Sequence, residues 1–469
     1  MKKYLISLIS VLLLAGCNNN QPNPNNSTKD VVQKKGNIQI RQSEQIILDM
    51  TEINDFKKAE SYYNNKKYSK AIKLYKSSAK NKSTDSVKAQ IILGDIYSKG
   101  TGVDKNSTEA LKWYLLADKS KDNILLKYKI ANTYDSLASG IFWNKLNKQP
   151  DPFKEIDTFE LSKNDKEQEA NFYKKARQYL EVPLQNNMPE AQALMARYYI
   201  YGVGVKEDIK KGISLYEKAA NKNHEASQAR LGNLYYDGDK VEKNIDKAIY
   251  WLEKAASNGN MNTQFKLGYM YAGSKDNKIK DLKKSIYWYE YACNQKSTAA
   301  CNNLGHAYQY ALGVEKDIDK ATSYYEKSAN NGGDYGQMNM GYAYLNGNGK
   351  TKNYTEAFYW FKKSADQQNK WSQNEVGILL VKGYGTNKDY KLASEYFIKA
   401  SDQNITESKA YLSIMYKHGF GVKKDIKKSD SYKYAALHVT NTSSREDYSM
   451  AKLLWNEYVL LNIVKEEEN

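Results

Sequence analysis

The sequence is poor in the residues that build most active sites and most irregular loops. Only six prolines are spread over 469 residues, so long helical stretches can run without interruption. Four histidines, His224, His306, His418 and His438, lie far apart. No His-Glu-x-x-His and no Cys/His cluster at zinc spacing occurs, so neither a metal nor a cofactor is expected. A Walker glycine loop and a Gly-x-Ser-x-Gly nucleophile elbow are both missing. Two Ser-x-x-Lys pairs exist, Ser77 with Lys80 and Ser449 with Lys452. No Lys-Thr-Gly accompanies them, and a chain this rich in lysine forms such pairs by chance. Repeated carboxylates such as Asp208 and Asp317 precede helices and read as caps, not as acid–base pairs. No catalytic residue is assigned, and the chain reads as a non-enzyme.

What is abundant is charge, asparagine and tyrosine. The net charge is +17, with 71 Lys and Arg against 54 Asp and Glu. Such a surplus suits nucleic acid, an anionic membrane surface or an acidic partner. The plainer alternative is an ordinary solvated surface, with Lys interleaved with Glu and Asp on outward helix faces.

The chain is organised around a unit that returns every 36 or 37 residues. Its clearest copy is Cys301-Asn-Asn-Leu304-Gly305-His-Ala-Tyr308, followed by Gly313, Val314, Asp317, Ala321 and Tyr325. The small residue of each copy marks the phase: Gly94, Ala131, Ala196, Gly232, Gly268, Gly305, Gly341, Gly377 and Ser413. Tyr stands three places later in every copy but one, where Leu380 takes its place. A recurring mid-helix glycine implies that a neighbouring backbone must approach closely there. Paired glycines such as Gly347 and Gly349, or Gly383 and Gly385, then end the first helix. An Asp or Asn caps a second helix, as in Asp317 to Tyr325. Each copy is therefore helix, glycine turn, helix, and must stack on its neighbours to bury its apolar face.

The Leu-Gly-x-x-Tyr, the Gly-x-Gly-Val, the Asp before helix two and endings such as Trp251-Leu-Glu-Lys-Ala255-Ala256 resemble the Sel1-like repeat family, relatives of the tetratricopeptide repeats. The resemblance covers roughly residues 55–438. It implies an all-α, right-handed α-solenoid whose first helices line a concave face. By that pattern, residues three and six places before each marker, and one and four after it, face the groove. The binding candidates are Asn233, Tyr236, Phe265, Tyr269, Asn302, His306, Gln309, Tyr335, Tyr342, Trp371 and Asn374. The tyrosine three places after the marker belongs to the core. Rings and amides in a groove suit a peptide or a glycan.

The ends read differently. Lys2 and Lys3, the apolar run Leu5 to Leu14, and Ala15-Gly16 before Cys17 have the three parts of an export signal. Leu14-Ala15-Gly16-Cys17 resembles a bacterial lipobox, which implies cleavage before Cys17 and its acylation as the first mature residue. Asn18 in place of Asp favours the outer membrane, facing the periplasm. Export in turn argues against nucleic acid as a partner. Residues 18–54 form a tether and leading segment; 18–36 have almost no apolar side chains. Residues 55–83 resemble a tetratricopeptide-type hairpin that serves as an amino-terminal cap. Residues 84–438 hold about nine repeats, and 439–469 a final capping helix.

Two irregularities interrupt the period. Ala196 stands 65 places after Ala131, so about 29 residues are inserted, near 139–167. The inserted stretch is either a functional loop or a surface excursion packed on adjacent repeats. Cys293 and Cys301 join helix two of one copy to helix one of the next, and in an exported protein they read as a disulfide. The cysteine-rich branch of the Sel1 family has the same spacing, bridging consecutive helices. The partner expected is a protein or peptide held in the groove, with membrane attachment through the lipid on Cys17. Peptidoglycan is the alternative ligand.

Overall fold

The computed structural model describes residues 55–80, 84–118, 123–148, 159–273 and 279–438. The export signal with Cys17, the tether 18–54 and the final capping helix 439–469 lie outside the described residues. Every regular element among the described residues is a helix. The chain divides into two compact units, Met1–Met195 with Val203–Lys206, and Ala196–Gly202 with Glu207–Asn469.

The second unit carries the regular pairs. Glu225–Asp237 packs with Ile245–Ser257, Met261–Tyr271 with Leu282–Asn294, and Thr298–Tyr310 with Ile318–Asn330. Asp334–Asn346 with Tyr354–Asp366, Lys370–Lys382 with Tyr390–Asp402, and Thr406–His418 with Ile426–Leu437 complete the series. Each second helix also packs on the first helix of the next pair, the arrangement of an α-solenoid.

Local chemistry explains where each helix begins and ends. Asp281, Asp317, Asp389 and Asp425 each accept a hydrogen bond from the backbone amide three places on, as do Asn244 and Asn353. First helices stop at Gly238, Gly347, Gly383 and Gly419, all in the left-handed region. Ala311 does the same work without a glycine, at φ 58°. The second glycine of a pair has a separate reason. A Cβ on Gly385 would collide with the carbonyl of Tyr354, and one on Gly421 with that of Tyr390, at the start of the preceding second helix.

The marker glycines are recesses, and what fills them is a side chain more than a backbone. A Cβ on Gly305 would sit 2.5 Å from the Tyr325 ring, on Gly341 2.7 Å from Phe361, and on Gly377 2.6 Å from Phe397. Each filler stands twenty places on, in the second helix of the same repeat. Where the marker is Ala196, the missing Cβ has moved across the pair: Gly212 lies against Ile200 and the Ala196 carbonyl. The tyrosines after the marker are buried at Tyr235, Tyr271 and Tyr308 and half-buried at Tyr344 and Tyr416.

Consecutive repeats are joined by buried glutamines. Four places before the marker, Gln228, Gln264, Gln337 and Gln373 donate through Nε2 to the carbonyls of Ala220, Ala256, Ala329 and Ala365. Those carbonyls lie at the end of the preceding second helix, where each also accepts from the backbone amide three places on in the turn that follows. Each glutamine Oε1 accepts from the end of its own repeat's second helix: Asn258, Gln295, Gln367 and Gln403 donate at 2.8 to 3.0 Å. Cys301 occupies the same position in its repeat and is joined as a disulfide to Cys293, eight places earlier. A covalent bond thus stands where four other repeats of this unit use a glutamine clamp.

In the first unit the described part of the irregular copy is mostly helical. Its helices are Ile124–Leu146 and Lys163–Gln185, twenty-three residues each. Most of the extra sequence lengthens both helices, because residues 138–148 contain nothing that breaks a helix except Gly140. Phe142 meets Trp143 and Phe159 edge-on at 5.4 and 5.5 Å.

Two outcomes follow. Gly341→Ala or Gly377→Ala should cost about 1–3 kcal/mol by overpacking against Phe361 or Phe397, read by thermal melts. Cys293→Ala with Cys301→Gln should restore the clamp and keep the melting temperature above that of Cys293→Ala with Cys301→Ala. Equal melting of the two double variants would contradict the equivalence.

Candidate groove on the first helices

The expected binding residues converge in the second unit around two adjoining pockets. The larger, about 570 Å³, is lined by Tyr269, Asn302, His306 and Tyr335, together with Tyr289, Asn303, Met338 and Asn339. The smaller, about 260 Å³, is lined by His306, Gln309 and Tyr342, with Tyr310, Tyr325 and Asn339. His306 and Asn339 belong to both, so the two are halves of one groove. A third hollow of about 300 Å³ shares Asn302, Asn303 and Tyr335.

The side chains are held there for different reasons. Tyr269 and Tyr335 are 54% and 52% exposed, presenting ring faces to solvent. His306 is exposed, with its ring 4.5 Å from that of Tyr310. Gln309 is fixed as it accepts from the Tyr325 hydroxyl at 2.6 Å. Asn302 accepts from Asn339 Nδ2 at 2.8 Å, which orients both amides. Only one charged side chain, Lys280, lines the larger pocket.

Other expected residues flank the groove or leave it. Phe265 is half-buried and tilted on Tyr289, while Asn233 and Tyr236 lie nearer the start of the unit beside Lys266. Trp371 is exposed, with Lys370 over its ring. Asn374 departs from the expectation: it is 4% exposed, donates to Glu407 at 3.0 Å and accepts from Ser408 at 2.8 Å. Its amide is consumed by the next repeat and does not present a ligand surface.

The tetratricopeptide offsets passed over a further set, the residues two places before the marker. Asn303 and Asn339 line the groove at this offset, and Glu375 occupies it two repeats beyond Asn303. A fixed offset repeated through the copies was the signal available in the sequence. Glu375 accepts from the Tyr342 hydroxyl at 3.0 Å. Burial first, and then the charge of Glu407, push its carboxyl up to about 7; the Tyr342 hydrogen bond and Lys382 pull the other way. Tyr342 and Tyr411 are pushed above the ordinary phenol value by burial and by these carboxylates.

Among the described residues no group of three or more His, Cys, Asp or Glu could hold a metal ion. Of the two Ser-x-x-Lys pairs, Ser77 donates to Asp55 at 3.5 Å, and Ser449 with Lys452 lies outside the described residues. No helix among the described residues is long and apolar enough to cross a membrane.

Glu375 makes stability depend on pH in a stated direction. Between the ordinary carboxylate value and about 7, the folded chain holds a proton that the unfolded chain has released. Stability is therefore greatest below that window and falls as pH rises through it. Glu375→Gln should flatten the fall in melting temperature between about pH 5 and pH 8, and melt higher than the parent at the upper end. An unaltered slope would contradict the assignment.

Comparison with known proteins agrees with this architecture. Solved structures share the fold, two of them over most of this chain. A crystal structure of c5321, a protective antigen present in uropathogenic Escherichia coli strains and displaying an SLR fold, matches with 23% identity and a TM-score of 0.50. That match covers 88% of this chain and 84% of the other. A Sel1 repeat protein from Oxalobacter formigenes matches with 20% identity and a TM-score of 0.52, covering 74% of this chain and 93% of that one. A search of curated proteins finds no match. The family model described as Sel1 repeat matches residues 65–83, 87–117, 189–224, 225–260, 262–297, 298–333, 334–369, 372–405 and 406–435. The amino-terminal hairpin is thus matched as a repeat, and the copy with the lengthened helices is passed over. The chain belongs to the Sel1 repeat family.

Proposed function

We propose that this chain is a non-enzymatic scaffold of the bacterial envelope that holds a protein or peptide partner in the groove of its first helices. One observation carries the reading: Tyr269, Asn302, His306 and Tyr335, from three consecutive repeats, meet around one hollow of about 570 Å³. Exposed rings supply contact area at little conformational cost, and the fixed amides of Asn302 and Asn339 offer hydrogen bonds in a set geometry. In this reading Cys17 carries the lipid that tethers the chain to the outer membrane, facing the periplasm, and residues 18–54 space the repeats from the bilayer. The partner is not nucleic acid.

A second reading, recognition of peptidoglycan or its peptides, is favoured by the near absence of charge in the groove lining. Sedimentation with purified sacculi at low and high salt separates groove recognition from the general attraction of a +17 chain, because only the latter is screened.

Alanine at Tyr269, His306 and Tyr335 together should abolish capture of the envelope partner while leaving the helical circular dichroism unchanged, since all three are exposed. Undiminished capture by the triple variant would remove the groove from the account.

A further inference from the structure

The residues two places before each marker form a line along the first helices of the second unit. In order they are Arg230, Lys266, Asn303, Asn339 and Glu375. This position and the one just after the marker lie three apart on a helix, so they share a face. Across consecutive repeats they touch. Lys266 Nζ donates to Asn233 Oδ1 at 2.6 Å, and the Tyr342 hydroxyl donates to Glu375 at 3.0 Å. Between these ends, Tyr269 with Asn303 and His306 with Asn339 occupy the same paired positions and line the groove. The line is therefore continuous, and the groove is its middle.

Its charge changes sign from one end to the other. Arg230 is exposed, with its guanidinium beside the Tyr216 hydroxyl. Lys266 is half-buried over the Tyr236 ring, and its nearest carboxylate, Asp237, is 3.9 Å away. Desolvation pulls the Lys266 ammonium below the ordinary lysine value, so a further anion would be stabilised there. Asn303 and Asn339 are neutral. At the far end Glu375 faces Glu407, which Asn374 holds, and the Glu407 charge adds to the cost of ionising Glu375. A cation placed between them would relieve that repulsion.

We propose that the line receives an extended segment of a partner protein with the opposite order of charge. Acidic side chains would lie over Arg230 and Lys266, an uncharged stretch would fill the groove, and a lysine or arginine would reach Glu375 and Glu407. This rests on the reading of the groove as a partner site and specifies the partner's chemistry. Lys266 and Glu375 are three repeats apart. At about 10 Å between adjacent helices and about 3.3 Å per extended residue, the uncharged stretch is about nine residues long.

The test uses the full chain and three fluorescent peptides of equal length, read by anisotropy at physiological salt. One carries three Asp, about nine Asn, Gly and Tyr residues, and three Lys, the spacer following from the same rise per residue. The others replace both ends by Asp or both by Lys. The mixed peptide should bind about tenfold tighter than either. Arg230→Glu with Lys266→Glu should move the preference to the Lys peptide, and Glu375→Lys with Glu407→Lys to the Asp peptide. Arg230→Gln with Lys266→Gln, a milder change, should erase the advantage of the mixed peptide. Equal affinities, or an order that the well-folded variants leave unchanged, would overturn the proposal. If no peptide binds while the groove still captures its envelope partner, the charge order is wrong and the groove reading stands. If partner capture is also indifferent to the groove, both fall.

Discussion

The whole architecture depends on one steric relation, a helix that gives up a side chain so that a ring from its partner helix can enter. Gly305 accepts Tyr325, Gly341 accepts Phe361 and Gly377 accepts Phe397. A mid-helix glycine costs about 1 kcal/mol against alanine, so its return at a fixed period needs a packing reason. That reason is the large apolar surface of the ring, buried against a backbone with no Cβ in the way. Once the ring is seated, the crossing of the two helices is set, and with it the face of the first helix turned away from the core. The residues one place after and two before the glycine stand on that face because the glycine itself is turned inward.

Much of this was legible in the sequence. The period, the glycine turns and the Asp or Asn caps each have a local physical cause, so the residues announce them. The parts that were not legible depend on who the neighbour is. Asn374 reads as a groove amide by its offset, yet Glu407 and Ser408 of the next repeat take up its hydrogen bonds. The filler of each glycine recess lies twenty or twenty-one places on, in another helix, and the sequence suggests only that something must approach. Cys293 and Cys301 read as an isolated staple; the structure shows them in the register of the glutamine clamp. The lengthened helices Ile124–Leu146 and Lys163–Gln185 take up the described part of a stretch that reads as an insertion, because period counting detects extra residues and says nothing of their conformation.

The same division separates scaffold from recognition. Positions that set the stacking are mostly small, apolar or amide and recur along the chain: the marker, the side chain that fills it and the clamp, which Cys301 replaces with a disulfide. Positions on the open face change in character along the repeats, running from Lys266 through Asn303 and Asn339 to Glu375 at one offset. A solenoid can change such residues singly, because each lies on a helix whose place is already fixed by contacts elsewhere. Aromatic side chains are also exposed on second helices, at Tyr287 beside Trp288 and at Tyr359 beside Trp360, but neither Tyr287 nor Tyr359 lines any of the three pockets described.

The central claim is that recognition lives on the first-helix face. Site-specific photocrosslinking in the native envelope tests it most directly, with the reactive side chain placed at Tyr335 or Trp371 and, for comparison, at Tyr287 or Tyr359. All four side chains are exposed to a similar degree, so accessibility does not bias the result. The account predicts one partner protein joined from Tyr335 and Trp371 and missing from the second-helix positions. The same product from Tyr287 and Tyr359, or none from the groove while those positions crosslink, would contradict it.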